Sequence, residues 1–179
     1  MKPLFLAVLF PALVAVAIAD TAAPPRVGDP APGFRLPYAT RDSVARDSLS
    51  LAALTGARNV VLAFYPADWS GGCTREVCTL RDNFAALAAL EADVVGISGD
   101  YVYSHHEWAK HHDLPFRLAS DHRHDVARQY ASYNEASGLN RRTVFVVGRD
   151  GRIAYADLAY SVRDSVSFAK LRSALADLK

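Results

Sequence analysis

After a largely apolar opening the chain settles into short blocks of apolar and polar residues, and those blocks predict its elements. Residues 59–65 (NVVLAFY) are almost continuously apolar and rich in β-branched side chains, the pattern of a strand buried on both faces. Residues 66–72 contain Pro66, Gly71 and Gly72 and read as a loop. Over 73–90, apolar side chains at 77, 80, 84, 87, 88 and 90 follow helical spacing. Residues 92–98 (ADVVGIS) predict a second buried strand, 102–112 a helix, 116–118 a short strand and 121–130 another helix. Segments 143–147 and 153–156 flank Gly148-Arg149-Asp150-Gly151, whose Asp-Gly pair signals a β-hairpin. A closing amphipathic helix over 164–178 has Asp164 or Ser165 in place to cap it. Strand–helix–strand order followed by a hairpin and a helix predicts an α/β domain with a central mixed β-sheet flanked by helices. No Gly-rich phosphate loop follows the first strand, so doubly wound nucleotide-binding architecture is excluded.

The opening stretch reads as an address. Met1-Lys2 supplies a positive start, residues 3–18 are apolar, and Ala17-Ile18-Ala19 places small residues where a signal peptidase reads them. A run of about 16 residues interrupted by Pro11 is short for a hydrocarbon core of ~30 Å. The expectation is a signal peptide over 1–19, one domain over 20–179, no membrane association after cleavage, and export, to the periplasm in a bacterium. Residues 20–33, rich in Pro, Ala and Gly, form an extended lead-in to that domain.

Composition narrows the function classes. With 51% hydrophobic and 22% charged residues, the 179-residue chain can bury a core and is not a disordered tail. Its formal charge of +1 provides no field for nucleic acid. Two cysteines cannot staple a domain of this size, so they are inert, a single local disulfide, or chemistry.

The chemistry is concentrated in Tyr65-Pro66-Ala67-Asp68-Trp69-Ser70-Gly71-Gly72-Cys73-Thr74-Arg75-Glu76-Val77-Cys78. A buried strand runs into a loop that feeds a helix, and Cys73 falls at the helix start. There, unsatisfied backbone N–H groups and the positive end of the helix dipole stabilise a thiolate, the nucleophilic form of cysteine. Ser70 lies within loop reach of that thiol, and Pro66 stiffens the strand exit. A buried apolar thiol is the plainer reading of Cys73, but glycines before it and Thr-Arg-Glu after it suit a core position poorly.

These residues resemble the peroxiredoxins, in particular the bacterioferritin-comigratory-protein or peroxiredoxin Q branch. Pro66, Ser70 and Cys73 meet the family's Pro, three residues, Thr or Ser, two residues, Cys pattern. Cys78 stands where the branch has its second cysteine, with Thr74 and Glu76 between. Gly28-Asp29-Pro30-Ala31-Pro32-Gly33-Phe34, Asp113-Leu114-Pro115-Phe116, Ser120-Asp121 and Arg142-Thr143-Val144-Phe145-Val146-Val147 resemble further family stretches in order. The resemblance implies a thioredoxin-like fold and a thiol-dependent peroxidase with no cofactor and no metal. Its substrate would be a hydroperoxide, its reductant a thioredoxin-like thiol protein, and its state a monomer or weak dimer. It implies that Cys73 attacks the peroxide, that Ser70 and the Cys73 N–H orient it, and that Arg142 stabilises the thiolate while Glu76 holds an arginine. Arg141 competes with Arg142 for that place. Cys78 would resolve the sulfenic acid, or an external thiol would.

In an unbroken helix residues five apart have Cα atoms roughly 8.7 Å apart, whereas a disulfide needs about 4.4–6.8 Å. Resolution by Cys78 therefore predicts that residues 73–78 unwind in each cycle, with Gly71 and Gly72 lending freedom. Gly71 replaces the branch's usual Pro, which predicts a looser loop, and Trp69 is large enough to cover or narrow the pocket. All six histidines fall within 105–124, and helix geometry spaces those of 102–112 poorly for a metal, which predicts a solvated face. Two rival classes remain, a thiol–disulfide oxidoreductase and a non-catalytic metal-binding module, though the spacing of the two cysteines suits neither.

Overall fold

The computed structural model describes residues 23–163 and 165–178. The expected signal peptide and Asp164 lie outside the described residues. Elements follow in the order β1 (Arg35–Ala39), β2 (Val44–Ser50), α1 (Leu51–Leu54), β3 (Asn59–Phe64), α2 (Gly71–Asp82), α3 (Phe84–Ala89), β4 (Ala92–Ser98) and α4 (Val102–His111). Then come β5 (Arg117–Ser120), α5 (Asp125–Gln129), β6 (Tyr133–Asn134), β7 (Leu139–Asn140), β8 (Thr143–Val147), β9 (Ile153–Asp157) and α6 (Val166–Ala176). The main sheet has the order β2-β1-β5-β4-β3-β8-β9. It is mixed: β3, β4 and β5 run parallel, and β8, β9, β1 and β2 join antiparallel.

All six residues of β3 are buried, because the sheet is covered on both faces. Val61 and Ala63, with Tyr65 just beyond the strand, face a core shared with Val77 and Leu80 of α2, Trp108 of α4 and Leu171 of α6. Val60, Leu62 and Phe64 face the other core, with Leu51, Val126, Tyr130 and Phe145. Burying each such large side chain contributes about 1.5–3 kcal/mol, which is why β3 can anchor a chemically demanding loop at its end.

Several boundaries differ from the sequence reading. The β1–β2 hairpin has no counterpart in it: β2 is an edge strand with exposed Arg46, Asp47 and Ser48, so no clean alternation marks it. The expected helix over 73–90 starts earlier and is interrupted at Asn83, whose side-chain amide donates to the Thr79 carbonyl (2.9 Å) in competition with the backbone. The helix expected over 121–130 is shortened to α5, with Asp121 upstream accepting from the Val126 and Ala127 N–H groups (3.3 and 2.7 Å). Ser165 occupies the N-cap of α6 but makes no side-chain cap bond. The β8–β9 hairpin is as expected, with Gly151 at φ +76°. The lead-in is tied to it by Gly28 N–H to the Ile153 carbonyl (2.8 Å) and Ala31 N–H to the Gly151 carbonyl (2.9 Å).

Candidate active site

The site forms where β3 ends. Tyr65 extends the ladder once more, its N–H donating to the Ile97 carbonyl (3.1 Å), and Pro66, lacking an N–H, begins the loop. Antiparallel pairing sets Thr143 opposite Phe64, so Arg142, just before β8, is delivered to the same end of the sheet.

Ser70 is extended (φ −78°, ψ 138°) and caps α2: its carbonyl accepts from Thr74 N–H (2.9 Å) and its hydroxyl oxygen from Cys73 N–H (3.4 Å). The helix therefore begins at Gly71, and Cys73 sits inside its first turn, not at its first residue. Gly71 and Gly72 are helical residues, which corrects their assignment to the loop.

The Cys73 thiol is fully buried. Arg142 Nη2 donates to Cys73 Sγ at 3.2 Å, and Nη1 donates to Glu76 Oε2 at 2.5 Å. The planar guanidinium thus spans thiol and carboxylate, a role that the point charge of lysine would not fill. Gly72 makes room for it, because a Cβ there would lie 2.7 Å from Arg142 Nη2. Arg141 is exposed, and its backbone N–H is taken by the Ser132 carbonyl. Glu76 is 1% exposed and its Oε1 has no partner among the described residues. Burial pushes its carboxyl up to about 7, against the opposing pull of the Arg142 charge. The Cys73 sulfur thus lies both within the first turn of a capped helix and beside a guanidinium.

Cys78 lies further along α2, half-buried, and both cysteines are free thiols. The structure thus gathers Ser70, Cys73, Glu76 and Arg142 at one point, leaves Pro66 at the loop's start and keeps Cys78 away on the helix.

Sequence reasoning missed a second cluster beneath the loop. Asp68 and His105 are both buried, with His105 Nδ1 2.9 Å from Asp68 Oδ2. Tyr65 donates its hydroxyl to Asp68 Oδ1 (2.8 Å), and Ser104 donates to Oδ2 (2.7 Å). Burial, followed by the Asp68 charge, raises the Tyr65 phenol well above its ordinary value. His105 is accordingly a core residue and not part of a solvated face. Residues 68 and 105 are remote in sequence and match no local motif, so only the fold reveals the pair. The other histidines scatter: His106 donates to the Thr40 carbonyl (2.8 Å), His122 stacks on Tyr101, and His111 and His112 surround Trp69. Among the described residues, no group of three or more His, Cys, Asp or Glu could hold a metal ion, and no helix is long and apolar enough to cross a membrane. Trp69 turns towards α4, its indole N–H donating to Ser104 Oγ (3.2 Å).

Against known proteins, the AhpC/TSA family model matches residues 27–156. The chain belongs to the AhpC/TSA family. Among its relatives is the chloroplastic peroxiredoxin Q of Oryza sativa subsp. japonica, 38% identical over 129 residues, 72% of this chain. The match covers 57% of the rice protein, so the chain spans little more than half the length of that relative. A Mycobacterium tuberculosis protein named as a peroxiredoxin is 36% identical over 151 residues, 81% of this chain and 91% of the relative. The crystal structure of peroxidoxin BcpB from Mycobacterium tuberculosis superposes with a TM-score of 0.76 at 30% identity, covering 87% of this chain and 99% of that one. A reduced 2-Cys peroxiredoxin from Plasmodium vivax gives 0.74 at 21% identity, a likeness of fold. The fold of this AhpC/TSA member is thus the thioredoxin-like α/β fold that the family resemblance implied, and proteins named peroxiredoxin Q and bcp are among its relatives.

Proposed function

We propose that the protein is an exported thiol peroxidase that reduces hydrogen peroxide and organic hydroperoxides, with Cys73 as the attacking thiol and Cys78 as its resolving partner. One observation carries the reading: Cys73 Sγ lies 3.2 Å from Arg142 Nη2 within the first turn of a helix capped by Ser70. Membership of the AhpC/TSA family and the peroxiredoxin names of its relatives support it.

The thiolate of Cys73 attacks one peroxide oxygen. An S–O bond forms, the O–O bond breaks, and the electron pair leaves on the departing oxygen, which takes up a proton as water or an alcohol. The Arg142 guanidinium beside the sulfur and the Ser70 hydroxyl, whose oxygen accepts from the Cys73 N–H and whose own proton is left to donate, stand next to the place where that charge develops; the Cys73 N–H joins them once it exchanges Ser70 for the peroxide. Glu76 aligns the guanidinium, and Pro66 fixes where the loop leaves the sheet.

The Cys78 thiol then displaces hydroxide from the sulfenic sulfur, giving a disulfide and water. Both cysteines lie on α2, where five-residue spacing sets their Cα atoms roughly 8.7 Å apart, beyond the about 4.4–6.8 Å of a disulfide. The first turns of α2 must therefore unwind before the bond can close. A thioredoxin-like dithiol protein of the same compartment restores both thiols by exchange. The protein acts as a monomer or weak dimer, in the periplasm of a bacterial cell, after removal of residues 1–19.

Intact mass after one equivalent of hydrogen peroxide tests the scheme. The wild type should lose two hydrogens, Cys78→Ser should gain one oxygen, and Cys73→Ser should stay unchanged. Stable oxygen addition to the wild type would exclude Cys78 as the resolving thiol, and oxidation of Cys73→Ser at the wild-type rate would exclude Cys73 as the attacking one.

A further inference from the structure

The loop between β3 and α2 holds a residue in an unfavourable backbone conformation. Trp69 has φ +59°, a left-handed value that a bulky side chain adopts only where its surroundings dictate it. The surroundings are a directed set of hydrogen bonds. Trp69 Nε1–H donates to Ser104 Oγ (3.2 Å), and the Ser104 hydroxyl donates onward to Asp68 Oδ2 (2.7 Å). Asp68 also accepts from the Tyr65 hydroxyl at 2.8 Å. With two hydroxyl donors already on the carboxylate, His105 Nδ1 at 2.9 Å serves as a third donor. The Asp68 backbone N–H is held as well, by Asp100 Oδ2 (2.8 Å), which itself accepts from the Ser98 hydroxyl (2.7 Å). Main chain and side chains of residues 68–69 are thus fastened to α4 and to the end of β4, immediately before Ser70.

We infer that Asp68 and His105 are positioning residues for the peroxide step. They form a buried clamp that holds the Pro66–Ser70 loop so that Ser70 stays aimed at Cys73, and they fix the upstream limit of the unwinding that joins Cys73 to Cys78. Three features set this clamp apart from ordinary core packing. The Asp68 and His105 side chains are fully buried, where a polar pair costs stability unless it is satisfied. His105 Nε2 has no partner among the described residues, so only the Nδ1 side of the ring is used. The carboxylate gathers its donors from β3's exit and from α4, while its own residue lies in the loop being held. The inference rests on the peroxidase reading for its kinetic consequence and on the hydrogen bonds alone for its structural one.

The test compares His105→Leu with His105→Asn, whose side-chain amide can donate to Asp68 in place of Nδ1. Three readouts are taken on the reduced full chain: the second-order rate with hydrogen peroxide, the alkylation rate of Cys73 by iodoacetamide, and amide hydrogen exchange over residues 67–70. His105→Leu should slow the peroxide reaction on the order of tenfold or more, alter alkylation less than about twofold, and raise exchange in the loop; His105→Asn should restore all three. A peroxide rate and an exchange pattern unchanged in His105→Leu would overturn the clamp. So would losses of peroxide and alkylation rates in parallel that His105→Asn does not rescue, which is the signature of a damaged core. Should His105→Leu fail to fold, Ser104→Ala removes two bonds of the same clamp without stranding the Asp68–His105 pair. It should then loosen the loop and slow peroxide selectively, and unchanged exchange and rate would overturn the clamp. If the wild type itself does not react with peroxide, the peroxidase reading fails, and loop exchange in the same variants still decides the clamp.

Discussion

Arg142 divides one planar fork between two acceptors, the Cys73 sulfur and the Glu76 carboxylate, and Glu76 answers to both burial and that charge. Its carboxyl is raised from an ordinary value of 4.5 to about 7, with burial the larger influence. Over that interval the folded protein holds a proton that the unfolded chain releases. The contribution of Glu76 to stability is therefore fully present below about pH 4.5 and is lost as pH rises through about 7, on the order of 3 kcal/mol at most. Glu76→Gln should remove this dependence. In urea unfolding, the stability difference between wild type and variant should favour the wild type more at about pH 5 than at about pH 8. An equal difference at both values would show that the carboxylate is ionised throughout. At this scale the sequence was legible where partners are neighbours: Ser70, Cys73, Glu76 and Cys78 lie within one loop and one helix. Arg142 was found through resemblance, since nothing local distinguishes it from Arg141. The Asp68–His105 pair, joined only by the way α4 crosses the sheet end, left no local mark.

At the scale of elements, the proposed cycle asks α2 to serve two states, intact for attack on peroxide and unwound for disulfide formation. Its first residue, Gly71, has no need of glycine: a Cβ there meets nothing within 4 Å, and φ is not in the left-handed region. Proline suits the first position of a helix, and Ser70 at φ −78°, ψ 138° already has the backbone that a following proline requires. Gly71→Pro should stabilise the protein by about 0.4–1 kcal/mol. It should leave the peroxide step intact and slow disulfide formation by about two- to fivefold, the same free energy read as a rate. A destabilised variant with unaltered disulfide kinetics would place the unwinding elsewhere. Elements with a continuous apolar run or a marked turn, such as β3, β4 and the β8–β9 hairpin, emerged from the sequence because burial on both faces or the turn chemistry specifies them. β2 did not, because an exposed edge imposes no apolar alternation. The break at Asn83 was hidden because the apolar period continues through it from Leu80 to Leu87.

The whole molecule explains why one end of the sheet gathers the candidate site. The parallel strands β3 and β4 and the antiparallel β8 deliver the Pro66–Ser70 loop, the Asp100 carboxylate and Arg142 to the same edge, while two apolar cores hold the strands from both faces. Donors made rigid in this way need no reorganisation as charge develops in the proposed peroxide step. The mixed sheet was foreseeable from the order of elements; the placing of Arg142 opposite the exit of β3 follows from a strand register that no single segment encodes. If this end of the sheet makes Cys73 a peroxide-reactive thiol, stopped-flow tryptophan fluorescence of the reduced protein without residues 1–19 will register the reaction, with Trp69 as a nearby reporter. A fast phase linear in hydrogen peroxide that Cys73→Ser abolishes should be followed by a second phase that Cys78→Ser abolishes. A Cys73 thiol that reacts with hydrogen peroxide no faster than free cysteine would contradict the peroxidase reading.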